Sequence, residues 1–469
     1  MSARTKTVWT FVITSIALFM VTLDNLVVTT AIPVIRKDLN ASLEDLEWTV
    51  NAYTLTFAVL LLTGAALGDR FGRRRVFAIG VGVFTLGSVA AALAPTVEAL
   101  NLARALQGLG GAIVMPLTLT ILSAAVPREK RGLALGAWGG ISGLAVAFGP
   151  VVGGAVVQGL SWQWIFWLNV PIGIALTPLA LSRLQETHGP GGRLDLPGLG
   201  LASTGLFGIV WALIRGNGQG WASLEIAGSL AVGFALVAAF VAWELRTAAP
   251  MLPMRFFRKP AFALANVASL FMFFGMFGSI FLLSQFFQTV QGYSPLGAGL
   301  RILPWTLAPM FISPIAGALS DRIAGKTLVG IGLTLQASSL AWLGLVSTPT
   351  VAYSSLIAPF VLAGIGMSLF FAPMANIVLS AVRPQEEGQA SGANNAFREL
   401  GGVFGVAVLA SVFASFGGYG SGQAFSDGMN PALIIGAVVV GLGALAAFAI
   451  PGRGRKAEVM VTEPLLEAA

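Results

Sequence analysis

Fourteen apolar runs set the limits on what this chain can become. They lie at approximately 9–35, 46–67, 76–94, 97–125, 132–158, 163–182, 196–214, 223–243, 261–288, 296–319, 327–346, 353–381, 389–415 and 430–450. About 20 such residues, rising about 1.5 Å each, cross the hydrocarbon core of a bilayer as a helix. Barrel strands are half as long and alternate in polarity, and only helices or closed barrels satisfy their own backbone in lipid. The runs therefore predict an all-α membrane protein with 14 transmembrane helices. Composition agrees, since a chain of 469 residues that is 56% hydrophobic and 10% charged cannot keep a large surface wet. The first run lacks a small-residue cleavage site and reads as a retained span, not a signal peptide. With no cysteine and a single histidine, His188, a disulfide or a Cys/His metal centre is not expected.

Basic residues sort by side. With the N-terminus in the cytoplasm, 21 of the 27 Lys and Arg fall on inner connections, Arg36, Lys37, Arg215 and Arg301 fall outside, and Arg104 and Arg398 lie within apolar runs. That bias predicts N- and C-termini both cytoplasmic. The net charge of +7 then follows from topology and requires no nucleic acid partner.

The sequence also repeats itself. "LGDRFGRRR" after the second run returns as "LSDRIAGK" after the tenth, laying Asp69 and Arg70 on Asp321 and Arg322 at a shift of 252. The same shift lays Gly136, Gly140, Gly149 and Gly153 on Gly388, Gly392, Gly401 and Gly405. Transporters are often built from such parallel repeats. The expected domains are an N-terminal six-helix bundle (1–187), a two-helix insertion (188–258), a C-terminal six-helix bundle (259–452) and a cytoplasmic tail (453–469), with pseudo-symmetry between the bundles.

Several segments, in this order, carry a family resemblance: "LDNLVVTTAIP", "GDRFGRRR", "LNLARALQGLGGA" with Arg104 and Gln107, "GLAVAFGPVVGG", "SWQWIFWLNVPIG" and "NNAFRELGG". Over essentially its whole length the chain resembles the major facilitator superfamily, and within it the fourteen-helix drug:proton antiporters. Ala65, Ala324 and Gln163 depart from the pattern without touching a charge. The resemblance implies a multi-pass protein of the cell membrane that exports lipophilic, cationic drugs or toxic compounds against protons by alternating access. Its partners would be a small-molecule substrate, protons and the lipid bilayer, with no cofactor and a monomeric unit. It also implies that Gly149, Pro150, Gly153 and Gly154 form the antiporter motif, packing between the halves and blocking leak. By themselves, small residues four apart serve close packing in any bundle, and Gly149-Pro150 adds a bend.

Charges inside helices carry the sharper expectations. A charge at mid-depth costs about 2.5–3.5 kcal/mol on insertion scales. Asp24 lies 15 residues after Trp9 and 12 before Arg36, roughly 18–22 Å from either end. Glu399 lies 12 residues past Glu387, about 18 Å in. Asp24, Glu399 and Arg104 are the expected proton-coupling residues, because a proton and a bound cation compete for one carboxylate. Arg104 has the plainer alternative of reaching the outer headgroups, and Arg398 is expected on a different face from Glu399. Substrate is expected at Asp24, Asn25, Glu399, Met276, Phe277 and Gln285 in an apolar, aromatic cavity, although Met and Phe also suit plain packing. Asp69, Arg70, Arg73, Asp321 and Arg322 are expected to form a conformational latch. Arginines there obey the positive-inside rule, whereas the aspartates instead suit a nearby arginine or a helix N-terminus.

Enzyme chemistry finds no support. "GKT" at Gly325–Thr327 ends like a phosphate loop, yet Ser320 occupies the required first glycine. One histidine in a loop builds no Ser-His-Asp triad. Two other readings share the apolar pattern: a proton-coupled metabolite symporter on the same scaffold, and a membrane sensor that binds ligand without counterflow.

Overall fold

The computed structural model describes residues 3–126, 131–189, 194–319, 323–383 and 386–451. Among them every regular element is helical: α1 (Ala3–Asp38), α2 (Leu43–Phe71), α3 (Arg73–Ala92), α4 (Val97–Ala125), α5 (Arg131–Gly159), α6 (Trp164–Trp167), α7 (Asn169–Arg183), α8 (Leu196–Gln219), α9 (Leu224–Glu244), α10 (Pro260–Gln285), α11 (Pro295–Leu319), α12 (Gly325–Val346), α13 (Tyr353–Ser380), α14 (Glu387–Phe416) and α15 (Gly422–Phe448). α6 and α7 join as one apolar segment, Trp164–Arg183, and α10 runs through a π turn to Val290. Among the described residues, 13 segments are long and apolar enough to cross a membrane. α5 occupies the remaining expected run, and its described apolar part is Phe148–Gly159.

Local chemistry sets the ends of these helices. Ser42 and Asp45 close a capping box on α2, each side chain answering the other's backbone N–H at 2.8–3.2 Å. Gly72 separates α2 from α3 with φ of 102°, a conformation that only glycine takes at no steric cost. Pro33, Pro116, Pro150, Pro178, Pro359, Pro373 and Pro431 stay inside helices, as membrane helices tolerate when neighbours satisfy the freed carbonyls.

Packing partners recur under the 252 shift. α1 packs on α5, α2 on α4, and α3 on α4 and α7; α10 packs on α14, α11 on α13, and α12 on α13 and α15. Two seams join these groups, α5 against α11 and α2 against α14, and α8 with α9 lies on the second. Glycines set the first seam: a Cβ on Gly154 would stand 2.4 Å from the Pro295 carbonyl oxygen, and one on Gly299 2.2 Å from that of Pro150. Gly149 and Gly153 press α5 onto Leu26 and Val27 of α1. Without a hydrophobic force between helices in lipid, such backbone approach is a main source of association. α10 is the most enclosed span, 83% buried over its apolar window, and α9 the least at 17%; α10 is therefore central and α9 peripheral.

At the end of the bundle that carries Arg36, the two groups are tied together. Ser284 Oγ donates to the Thr29 carbonyl at 2.9 Å and Gln288 Nε2 to that of Thr30 at 2.9 Å. The Arg36 guanidinium lies 3.4 Å over the Tyr419 ring, whose hydroxyl donates to Gln285 Oε1. α8 bridges the same end, with Arg215 3.0 Å from Glu44 on α2 and Asn217 bonded to the Ser411 carbonyl on α14.

Candidate functional site

The first charged centre lies wholly within the α1–α7 group. Asp24 is 1% exposed and Arg104, on α4, 0%, and Arg104 Nη1 stands 2.5 Å from Asp24 Oδ2. The other carboxylate oxygen accepts from Asn169 Nδ2 on α7 at 2.7 Å and from Gln107 Nε2 at 3.2 Å. Gln107, three residues past Arg104 and so on its face of α4, accepts from Arg104 Nη1 at 2.9 Å and donates to Ser88 Oγ at 2.8 Å. Arg104 Nε donates to the Thr49 carbonyl at 3.2 Å, its guanidinium lies 4.3 Å from the Tyr53 ring, and its Nη2 has no partner. A buried ion pair is tolerable only when its remaining lone pairs and protons are largely answered, and here α2, α4 and α7 supply partners for all but Arg104 Nη2. Asp24 was expected at the substrate cavity and is not among the residues that wall it, which corrects that expectation. Arg104 turns inward to meet Asp24, so its plainer alternative of reaching the headgroups does not apply. Successive helix residues point about 100° apart, so Asn25 takes the cavity side and Asp24 the α4 side.

The second centre lies where the two groups meet. A cavity of about 70 Å³ is walled by Asn25 of α1, Tyr53 and Phe57 of α2, Phe273, Met276 and Phe277 of α10, Phe371 of α13, and Arg398 and Glu399 of α14. Four expected substrate residues, Asn25, Met276, Phe277 and Glu399, are thus together. Gln285 is not among them: it lies eight residues beyond Phe277, bonded to the Phe281 carbonyl at 3.0 Å and to Tyr419. Glu399 Oε2 is buried without a partner, as is Asn25 Oδ1. Arg398 was expected on another face, yet its long side chain folds over Phe273, 4.4 Å from the ring, and donates to Asn395 Oδ1 at 3.2 Å. Among the described residues no ion pair joins Arg398 to Glu399. The cavity therefore offers a carboxylate with one unanswered oxygen, set among aromatic rings and the Arg398 guanidinium, and such an oxygen can take a proton or an organic cation.

The third centre is the loop between α2 and α3. Asp69 Oδ1 lies 2.8 Å from Arg73 Nε, one turn on, and the Asp69 carbonyl accepts from the Gly189 amide at 3.1 Å. Glu186 accepts the Arg74 amide at 2.9 Å and lies 3.5 and 3.8 Å from the Arg74 and Arg75 side chains, capping α3. Arg70 lies 5.2 Å from the Phe71 ring. Asp69 thus meets a nearby arginine, the first of the two expected arrangements. Asp321 and Arg322 lie outside the described residues. No sequence signal marks Glu186, which sits in the linker after α7, or Glu47, which is 2% exposed although it falls in the second turn of α2. Gln107 and Asn169 stand in the family-like segments, and no spacing pairs them with Asp24.

The model of the Major Facilitator Superfamily matches residues 14–406. The chain belongs to that superfamily. As a member it is a small-molecule transporter of the cell membrane, in a family that is not catalytic. It is 36% identical over 412 residues to multidrug resistance protein Stp of Mycobacterium tuberculosis, spanning 87% of this chain and 76% of that one. It is 33% identical over 409 residues to the tetracenomycin C resistance and export protein of Streptomyces glaucescens, 87% and 76% of the two chains. It is 36% identical over 423 residues to the cephamycin export protein CmcT of Amycolatopsis lactamdurans, 88% and 87%. The superfamily fold also appears in a solved POT family transporter in complex with 5-aminolevulinic acid, with a TM-score of 0.68 at 16% identity over 94% of this chain and 95% of that one.

Proposed function

We propose that this superfamily member is a proton-coupled antiporter that exports lipophilic, cationic drugs or toxic compounds. In this reading it has fourteen spans with both termini in the cytoplasm. Residues 1–187 and 259–452 form the two bundles that rock about the cavity, and 188–258 is an inserted helix pair. The observation that carries the reading is Glu399, a buried carboxylate with an unanswered oxygen in an aromatic cavity between the two helix groups. The names of the three relatives, each concerned with resistance or export, support the direction of transport.

A proton on Glu399 removes its charge and supplies the missing donor; a cationic substrate beside Phe273, Phe277 and Tyr53 does the same through its own charge. The two ligands are mutually exclusive, and exclusion at one site is sufficient to couple their opposite movements. Each elementary charge that crosses is worth about 2.3 kcal/mol per 100 mV. Asp24 and Arg104 act one layer behind. Protonation of Asp24 releases Arg104, which stacks on Tyr53, and Tyr53 is cavity wall; substrate occupancy and the ion pair thereby influence one another. At about 70 Å³ the cavity is far smaller than the roughly 300–1,000 Å³ of a typical ligand pocket, so substrate entry requires it to widen. With contacts tying the Arg36 end, the widening opens toward the Asp69 end, the cytoplasmic side in this reading.

The test is proton release on adding a lipophilic cationic dye to the purified protein in weak buffer. Wild type should release protons and Glu399→Gln should not. Release that survives in Glu399→Gln but vanishes in Asp24→Asn transfers the role to Asp24. No release from wild type, with dye bound, overturns the proton-coupled reading.

A further inference from the structure

Two side chains of α2 have no part in the scheme above. Glu47 is 2% exposed and its Oε2 has no partner; Asn51, one turn on, is 0% exposed and neither its amide nitrogen nor its oxygen has one. A buried polar atom left unpaired costs about 1–3 kcal/mol. Three on adjacent turns of one helix mark a place built for something that supplies hydrogen bonds.

The helix wheel shows where that place lies. Residues four apart sit about 40° apart on one face, so Glu47 and Asn51 look the same way. Thr49 and Tyr53 take the α4 side, where Thr49 Oγ1 donates to Asn101 Oδ1 at 2.8 Å. Trp48 lies tilted against Phe207 of α8, ring centroids 5.5 Å apart, and Leu55 packs with Val403 and Ala407 of α14. Glu47 and Asn51 are left facing the seam between the helix groups. Glu47 falls three residues past Glu44, which Arg215 holds at 3.0 Å, and Arg36 lies 3.4 Å over the Tyr419 ring at the same tied end. Glu47 precedes Tyr53 by six residues and Phe57 by ten, a distance of about 9–15 Å from the cavity wall along the helix.

We propose that Glu47, backed by Asn51, is a second proton-binding site, placed between the Glu399 cavity and the Arg36 end of the bundle. The proposal rests on the proton-coupled reading above for its role, and on the orphaned atoms for its existence. A proton on Glu47 cancels the charge and turns the lone oxygen into a donor. Asn51, with both donor and acceptor unengaged, passes a hydrogen bond in either direction. The surrounding charges are Glu44 on the same helix, itself held by Arg215 of α8, and Arg36 of α1. α10 contributes uncharged Gln285, and α14 contributes Glu399 further down. When the Arg36–Tyr419–Gln285 contacts part, Glu47 is the first of these buried acids to meet water from that side.

The experiment is a pH-difference infrared spectrum of the protein in proteoliposomes, paired with proton-driven export of a cationic dye. A protonated-carboxyl band should be present in wild type and in Glu399→Gln, absent from Glu47→Gln and shifted in Asn51→Leu. Export by Glu47→Gln should fall at least about tenfold while dye binding stays within about twofold, and Glu47→Asp should keep both band and export. A Glu47→Gln protein with every wild-type band and wild-type export overturns the proposal. If Glu47→Gln does not fold, the Asn51→Leu spectrum decides, and an unshifted band overturns it. A band assigned to Glu47 in a wild type that exchanges no protons for dye refutes the coupling and leaves the site standing.

Discussion

Asp24 and Glu399 are both carboxylates near mid-depth, yet their surroundings differ in kind. Asp24 receives Arg104, Gln107 and Asn169 from two other helices, with Ser88 behind them, all inside one helix group. Glu399 faces a cavity between groups, with one oxygen that no protein atom answers. The first acid is answered by the fold and the second is left for a ligand. A carboxylate's availability follows from which hydrogen bonds the protein has already made, and depth alone does not reveal it. In the proposed scheme Asp24 is the part that senses and switches, and Glu399 the part that binds.

The largest effect tests the Asp24 side. Arg104→Leu strands a buried carboxylate, and breaking such a pair from one side costs about 3–5 kcal/mol. Denaturant titration of the purified protein should show that loss, and Asp24→Asn combined with Arg104→Leu should recover a clear part of it because the two positions share one interaction. Additive losses would mean that the pair contributes nothing as a pair. On the Glu399 side the expectation is reversed. Glu399→Gln removes no protein contact at Oε2, so stability should change by less than about 1 kcal/mol while dye-dependent proton release disappears. A large stability loss there would make Glu399 a structural group and erase the contrast.

Much of this architecture was legible in the sequence, and the reasons differ by feature. Run length and the 252 shift located the long helices, and the packing of α1 on α5 and α10 on α14 follows the repeat. α5 shows the limit, since only Phe148–Gly159 of it counts as a described apolar helix. Residue type flagged Asp24, Arg104 and Glu399 because charges in apolar runs are costly. Sequence could not decide which of Asp24 and Asn25 faces the cavity, since that depends on helix rotation about an unknown neighbour. The same 100° rule set Arg398 on a different face from Glu399, and the length of the side chain defeated the rule. Glu47 was missed because a second-turn acid reads as a wet helix start, whereas here it is 2% exposed.

A smaller effect belongs to the loop between α2 and α3. The Asp69–Arg73 pair is partly exposed, with side chains 30% and 17% accessible, and pairs of this kind contribute about 0.2–1 kcal/mol. If it must break and reform once per cycle, Asp69→Asn should change turnover by about 1.4-fold to fivefold, the rate equivalent of that energy. Dye affinity should hold, because the cavity walls are distant helices. Stopped-flow dye export against equilibrium binding separates the two, and unchanged turnover would remove the latch.

The smallest effect completes the contrast by placing a paired acid at the water's edge. Glu386, at the start of α14, lies 2.7 Å from Arg383 and 2.8 Å from Arg255 of the segment before α10. Hydrogen bonding from Arg383, aided by the charge of Arg255, holds its carboxyl down at about 2. A carboxyl lowered on folding stabilises the protein above its ordinary value, near 4.5, and loses that contribution as pH falls from there toward 2. Both arginines are largely exposed, 71% and 60%, so solvent screens the pair and the effect should be small. Melting curves of wild type and Glu386→Gln should differ slightly at pH 7 and converge on acidification through this window. Arg104→Leu should lack that modest, graded signature, since its penalty comes from burial. If Glu386→Gln proved as costly as Arg104→Leu, pairing and not burial would set the energy scale, and the distinction drawn between Asp24 and Glu399 would need a different physical basis.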